Sequence, residues 1–171
     1  IKLKGSDELR WVKLTSGADG AMITTASGQA IRFKETDVRS MGRTASGVRG
    51  IRLRKGDTVM SLEVIEKSLD PKNLQVLVVS DLGLGKKTPL QEYKIQNRGG
   101  SGIRTANITP KTGILMAAQV VGEETDIFAL SAKGQVIRTE LKSVRTTGRA
   151  AQGVRIMNVS QGDRLVGVVL I

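Results

Sequence analysis

The sequence predicts an all-β, propeller-like fold of about three four-stranded blades, preceded by the end of another. Three observations lead there. The chain repeats itself with a step of 55 residues and then 51, and a period near 50 marks a propeller or solenoid built from one repeated supersecondary unit. Short apolar runs separated by glycine-bearing turns give four strands to each unit, the content of a propeller blade. Positive charge recurs at four fixed points of every unit: Arg32, Lys87 and Arg138; Arg39, Lys94 and Arg145; Arg43, Arg98 and Arg149; Arg49, Arg104 and Arg155. All four columns keep the same two steps, so none has been adjusted to fit.

Residues 1–16 read as the end of a preceding blade, because Ile1 to Leu9 parallels Ile51 to Val59. The chain therefore starts inside a repeat, and further blades are expected before Ile1. The three full units are 17–66, 67–122 and 123–171. Each opens on an apolar strand: Ala21-Met22-Ile23, Leu77-Val78-Val79, and Ile127-Phe128-Ala129-Leu130. Gly28, Gly83 and Gly134 follow, supplying the positive φ of a tight hairpin turn. The return strand alternates in Ile31-Arg32-Phe33, which puts the arginine on the face opposite the apolar pair.

A link without clean periodicity comes next, read as a helical turn holding Val38, Tyr93 or Val144. Tyr93, the one tyrosine, reads as a buried anchor and not as a nucleophile. A glycine-bearing loop ends at Gly47, Gly102 or Gly153, and a third strand is expected over 48–53, 103–108 and 154–159. Gly50 breaks the alternation there and suggests a bulge. Turns at Gly56-Asp57 and Gly162-Asp163 lead into a final Val/Leu-rich strand.

Lysine and arginine number 27 against 16 acidic residues, for a net charge of +11 and a pI near 10.4. Charge repeated at one point of every unit suits an extended polyanion crossing all of them. The chain has no histidine and no cysteine, which removes Cys/His metal sites, thiol nucleophiles and any triad with a histidine base. No acidic position recurs in all three units, so the chain alone is expected to be non-catalytic, with no cofactor and no metal. Only four aromatic side chains are present, Trp11, Phe33, Tyr93 and Phe128. That leaves no platform on which single-stranded bases could stack, so double-stranded DNA held through its phosphates is the expected partner. No apolar run approaches a membrane span and no secretory signal opens the chain, so no membrane partner is expected. Absence of cysteine fits a reducing cytoplasm.

One loop is dense enough to single out: Gln96-Asn97-Arg98-Gly99-Gly100-Ser101-Gly102. Consecutive glycines allow close backbone approach to a phosphate, and Arg98 supplies charge. An ordinary glycine-rich turn is the plainer reading, but the loop lies between the third and fourth basic columns. Gly85-Lys86-Lys87-Thr88 has the outline of a nucleotide-binding loop, yet Ser80 stands where the required upstream glycine would be. It reads as the end of a hairpin turn.

Several stretches closely resemble the C-terminal domain of the A subunit of bacterial DNA gyrases: Ile31 to Glu35, Val38 to Arg43 and Thr44 to Leu53 in the first unit. Gly85 to Thr88 with Glu92-Tyr93, and Thr147 to Arg149 with Gln152 to Val154, are similar to the two following repeats. The resemblance covers essentially the whole chain. It implies the last three blades of a β-pinwheel, in which each blade lends a strand to its neighbour and DNA wraps the basic outer rim. It also implies a place in an ATP-dependent type IIA topoisomerase in the bacterial cytoplasm, where its partners are the B subunit and the rest of the A subunit. The family's hallmark box is Gln-Arg-Arg-Gly-Gly-Lys/Arg-Gly. The loop 96–102 departs from it at Asn97 and Ser101, so it reads as a weakened second copy, with the principal box upstream. Two alternatives stand beside this reading: the terminal domain of the C subunit of topoisomerase IV, and a protein-interaction propeller in which the columns are merely solvated.

Overall fold

The computed structural model describes residues 1–124 and 126–171. Among these residues eleven strands run in chain order: β1 (Gly20–Thr25), β2 (Gln29–Lys34), β3 (Val59–Ile65), β4 (Gln75–Ser80), β5 (Leu84–Pro89), β6 (Ile103–Arg104), β7 (Leu115–Val121), β8 (Asp126–Ser131), β9 (Val136–Glu140), β10 (Val154–Arg155) and β11 (Leu165–Leu170). They form three antiparallel sheets, ordered β3-β1-β2-β6, β7-β4-β5-β10 and β11-β8-β9. The expected all-β, propeller-like architecture is what the chain adopts.

The outermost strand of each complete blade comes from the next repeat. In the first blade Ala30 pairs with Ile103 and Gln29 with Arg104; in the second Gly85 pairs with Val154 and Leu84 with Arg155. Glycine chemistry makes this crossing possible. A Cβ on Gly28 would lie 2.7 Å from the Ala106 carbonyl oxygen, and one on Gly153 2.5 Å from the Gly85 oxygen. Both residues also hold positive φ, at 80° and 91°, so each is a turn residue and a crossing point together. At the corresponding place in the third blade, nothing lies within 4 Å of a Cβ on Gly134, and Val136 on β9 is 58% exposed. Among the described residues β9 carries no fourth strand.

Expected strands over 103–108 and 154–159 shorten to two residues each, and 48–53 forms no strand. The pairing stops early because the chain turns inward after Arg104 and Arg155: Gly28 O accepts from Thr105 N (2.8 Å), and Gly83 O from Ile156 N (2.8 Å). Gly50 is not a bulge but a close approach, since a Cβ there would run into the Ile23 side chain. Residues 1–16 contain no strand and are exposed apart from half-buried Trp11. Their tight turn, closed by Asp7 N to Lys4 O (3.0 Å), repeats the turns closed by Asp57 N to Arg54 O (3.1 Å) and Asp163 N to Ser160 O (2.9 Å).

The core lies between blades. Met22, Ala30, Ile65, Val76, Val78, Leu90 and Tyr93 fill the first junction; Leu77, Val79, Ile127, Ala129, Val144 and Met157 fill the second. Strand β4 therefore buries both faces, which is why its sequence reads as a continuous apolar run and not an alternation. The links are single turns of 3-10 helix over Glu35–Asp37, Leu90–Glu92 and Leu141–Ser143, closing on Val38, Tyr93 and Val144. Tyr93 is fully buried, its hydroxyl 2.5 Å from the Thr105 hydroxyl, while Val38 is 38% exposed.

Candidate nucleic-acid interface

Strand exchange moves the basic columns one blade back. After its 3-10 turn, the second and the third repeat each run beside the return strand of the preceding blade: Gln96 N donates to Arg32 O (2.8 Å), Lys87 N to Arg145 O (3.0 Å) and Thr147 N to Lys87 O (2.8 Å). The outer edge of the first blade thus gathers Arg32, Lys94, Arg98 and Arg104. The same edge of the second gathers Lys87, Arg145, Arg149 and Arg155. Arg138 stands on β9 as the column residue of the third blade. Arg39, Arg43 and Arg49 of the first repeat pair with no strand.

The four columns differ in what their side chains do. Arg39, Lys94 and Arg145 are exposed in all three copies, and so are Arg49, Arg104 and Arg155. Among the described residues no acidic side chain pairs with any of these six. The first column is largely occupied. Arg32 is half-buried and reaches the carbonyls of Leu90 and Tyr93, both at 3.4 Å. Lys87 is only 8% exposed, and burial lowers its affinity for a proton. Arg138 is exposed but paired with Asp126 (2.6 Å), which raises its pKa, and it lies 5.9 Å from the centre of the Phe128 ring.

In the third column Arg43 is exposed and has no partner among the described residues, but the other two copies are engaged. Arg98 donates through Nη1 to Arg49 O (2.7 Å) and through Nε to Asp37 O (3.2 Å). Arg149 donates through Nη1 to Arg104 O (3.1 Å) and stands 3.8 Å from the Glu92 carboxylate, which also accepts its backbone N–H (3.3 Å).

The loop 96–102 is likewise turned toward protein. Gly99 N donates to Gly50 O (2.7 Å) and Arg52 N to Gly100 O (2.8 Å). Gly99 and Gly102 have φ of 81° and 69°. A Cβ on Gly102 would sit 2.8 Å from the Ala30 carbonyl carbon. Its glycines therefore serve chain crossing, and the sequence pattern could not separate that use from a phosphate nest because both require glycine.

Sequence reasoning missed Lys86 and Glu92. Lys86 is 1% exposed, and its ammonium donates to Gly148 O (2.8 Å) and to Arg149 O. Burial pushes its pKa down to about 8, with Glu92 opposing the shift and Arg149 adding to it. The signal was available: Lys86 occupies a column otherwise held by Ile31 and Ile137. Among the described residues no cluster of His, Cys, Asp or Glu is suited to a metal ion, and no helix is long and apolar enough to cross a membrane.

The sequence profile described as the DNA gyrase C-terminal domain, beta-propeller, matches residues 21–66, 75–121 and 125–171, one match per repeat. The chain belongs to the DNA gyrase C-terminal domain family. The DNA gyrase A subunit of Staphylococcus epidermidis is 44% identical over 163 residues, covering 95% of this chain and 18% of the relative. The A subunit of Staphylococcus aureus is 42% identical over 170 residues, covering 99% and 19%. The chain thus spans about a fifth of the length of the curated relatives it matches. A solved gyrase A C-terminal domain superposes with a TM-score of 0.88 at 26% identity, covering 99% of this chain and 56% of that one. A topoisomerase IV C-terminal domain gives the same TM-score at 22% identity, over 99% and 52%, a likeness of fold alone. The fold is shared by both relatives; the family profile and the 42–44% identities join this gyrase-family domain to the A subunits.

Proposed function

We propose that this domain binds and wraps double-stranded DNA along the outer edge of its blades. In that role it serves a bacterial cytoplasmic gyrase as a non-catalytic part of the A subunit, working with the B subunit and the rest of its own subunit to give supercoiling a direction. One observation carries the reading: the second and fourth columns are exposed in every repeat with no acidic partner among the described residues, and strand exchange carries Lys94, Arg104, Arg145 and Arg155 to the edge of the preceding blade. Arg39, Lys94, Arg145, Arg49, Arg104 and Arg155 are the proposed phosphate contacts. Arg43 and Arg138 add charge, whereas Arg32, Lys87, Arg98 and Arg149 act through the protein. The loop 96–102 acts the same way, as a junction.

Six phosphate contacts predict that log affinity for duplex falls with log salt at a slope of about −5. Replacing the six residues by glutamine removes most of that slope, while replacing any one lowers it by about 1 across unrelated sequences. A slope near zero for the unaltered chain would refute the proposal and favour a protein-interaction propeller.

A further inference from the structure

Arg98 and Arg149 occupy the same column, and each reaches two points of the repeat before its own, Arg98 by two hydrogen bonds and Arg149 by one hydrogen bond and one ion pair. Arg98 meets the carbonyl oxygens of Asp37 and Arg49; Arg149 meets the side chain of Glu92 and the carbonyl oxygen of Arg104. Position 37 corresponds to 92, and 49 to 104, by the 55-residue step. Each arginine therefore spans two fixed points of the preceding repeat. One lies two residues before an exposed cation of the second column, Arg39 or Lys94. The other is the main chain of an exposed cation of the fourth, Arg49 or Arg104.

Resting on the DNA-track reading above, we propose that Arg98 and Arg149 are positioning residues: staples that set the spacing of the second- and fourth-column cations of the preceding repeat without meeting phosphate themselves. A guanidinium suits the task because its planar fork donates in two directions at once, whereas an ammonium is a point charge on a flexible stem. Fixing the backbone beneath Arg49 and Arg104 reduces the ordering cost when their side chains take up phosphate. The surroundings are built for the staple. Gly99 N to Gly50 O and Arg52 N to Gly100 O flank Arg98, and Lys86 holds the two carbonyls at Gly148 and Arg149. Arg43, in the same column, has no hydrogen-bond partner among the described residues and is the internal control.

The test is a double-mutant cycle in the full natural polypeptide, read as duplex-DNA affinity and salt slope. Arg49→Gln weakens binding about three- to tenfold and lowers the slope by about 1. Arg98→Lys, which keeps the charge, weakens binding by a similar factor, and added to Arg49→Gln it costs clearly less than it does alone, because the two share the Arg49 contact. Arg43→Lys, which keeps the charge and has no such bonds to lose, weakens binding less than Arg98→Lys does. Affinities are read well below each variant's melting midpoint, and the cycle of Arg149 with Arg104 repeats the measurement at the other junction. Additive losses in the double variant, or Arg98→Lys binding as tightly as the unaltered protein, overturn the staple and leave the DNA track standing. If Arg49→Gln itself changes neither affinity nor slope, the track has failed and the staple with it.

Discussion

Alanine at the three hairpin glycines measures strand exchange directly. Gly28, Gly83 and Gly134 hold φ of 80°, 79° and 86°, so each substitution pays a left-handed backbone penalty of about 1–2 kcal/mol. They differ in what crosses above them. At Gly134 a Cβ meets nothing within 4 Å, and the backbone penalty is the whole cost. At Gly28 it meets Ala106 O at 2.7 Å and Ile108 Cγ1 at 3.1 Å, so the crossing chain must retreat by about half an ångström to regain ordinary contact. At Gly83 it meets Val159 Cγ2 at 3.0 Å and the Met157 carbonyl carbon at 3.1 Å, with the Met157 oxygen nearer still. There the chain must move by about an ångström. That shift strains the bonds from Ile156 N (2.8 Å) and Met157 N (3.2 Å) to Gly83 O, each worth ~1 kcal/mol. It also opens the packing of Ile156 and Met157, both buried, where full exposure costs about 1.5–3 kcal/mol per side chain. With partial relaxation, Gly83→Ala should cost about 3–5 kcal/mol, Gly28→Ala about 2–3 and Gly134→Ala about 1–2. Urea unfolding with a shared m-value reads the order from the midpoints. Equal losses at Gly83 and Gly134 would show that the crossing strand contributes nothing, and the reasoning would fall.

Two further outcomes follow from buried polar groups. The folded pKa of Lys86 is about 8, below its ordinary 10.5, so between those values the unfolded chain holds a proton that the folded chain has released. Stability should therefore rise with pH across that window, by about 1–2 kcal/mol after solvent screening is allowed for. Lys86→Met should remove most of the rise in urea midpoints taken from pH 8 to 10, leaving the part that Lys87, whose proton affinity burial also lowers, contributes; an unchanged rise would reassign it to another group. Tyr93, whose pKa burial raises, acts in the opposite sense above pH 10 in both proteins and cancels in their difference. Tyr93→Phe leaves the buried Thr105 hydroxyl without its 2.5 Å partner, which should cost about 1–3 kcal/mol of stability. DNA affinity at low temperature should stay as it was; a large loss there would give the tyrosine a role beyond anchoring.

Much of the architecture was legible because it was written three times. The hairpin glycines, the apolar first strands and the link closing on Tyr93 or Val144 all stand where the repeat puts them. Strand lengths after Gly102 and Gly153 were not legible, because what ends them is a tertiary hydrogen bond to a hairpin in another blade. The columns located the charges but could not sort them. Arg104 and Arg149 look alike in sequence, yet one points to solvent and the other reaches back to its carbonyl. That difference depends on the one-repeat offset between sequence units and blades, which no window along the chain contains. The role of Lys86 was not legible from the basic columns, because it breaks an apolar column held by Ile31 and Ile137 and belongs to none of the four.

The borrowed outer strand has a mechanical consequence. A pull on Arg104 or Arg155 bears on a strand whose covalent chain belongs to the next repeat and whose hydrogen bonds belong to the one before. Load entering at one point is shared by two repeats, as it is in lapped roof tiles, and no blade can loosen without its neighbour feeling the slack. A load on such an edge therefore works against two repeats at once, where separately hinged sheets would each bear it alone.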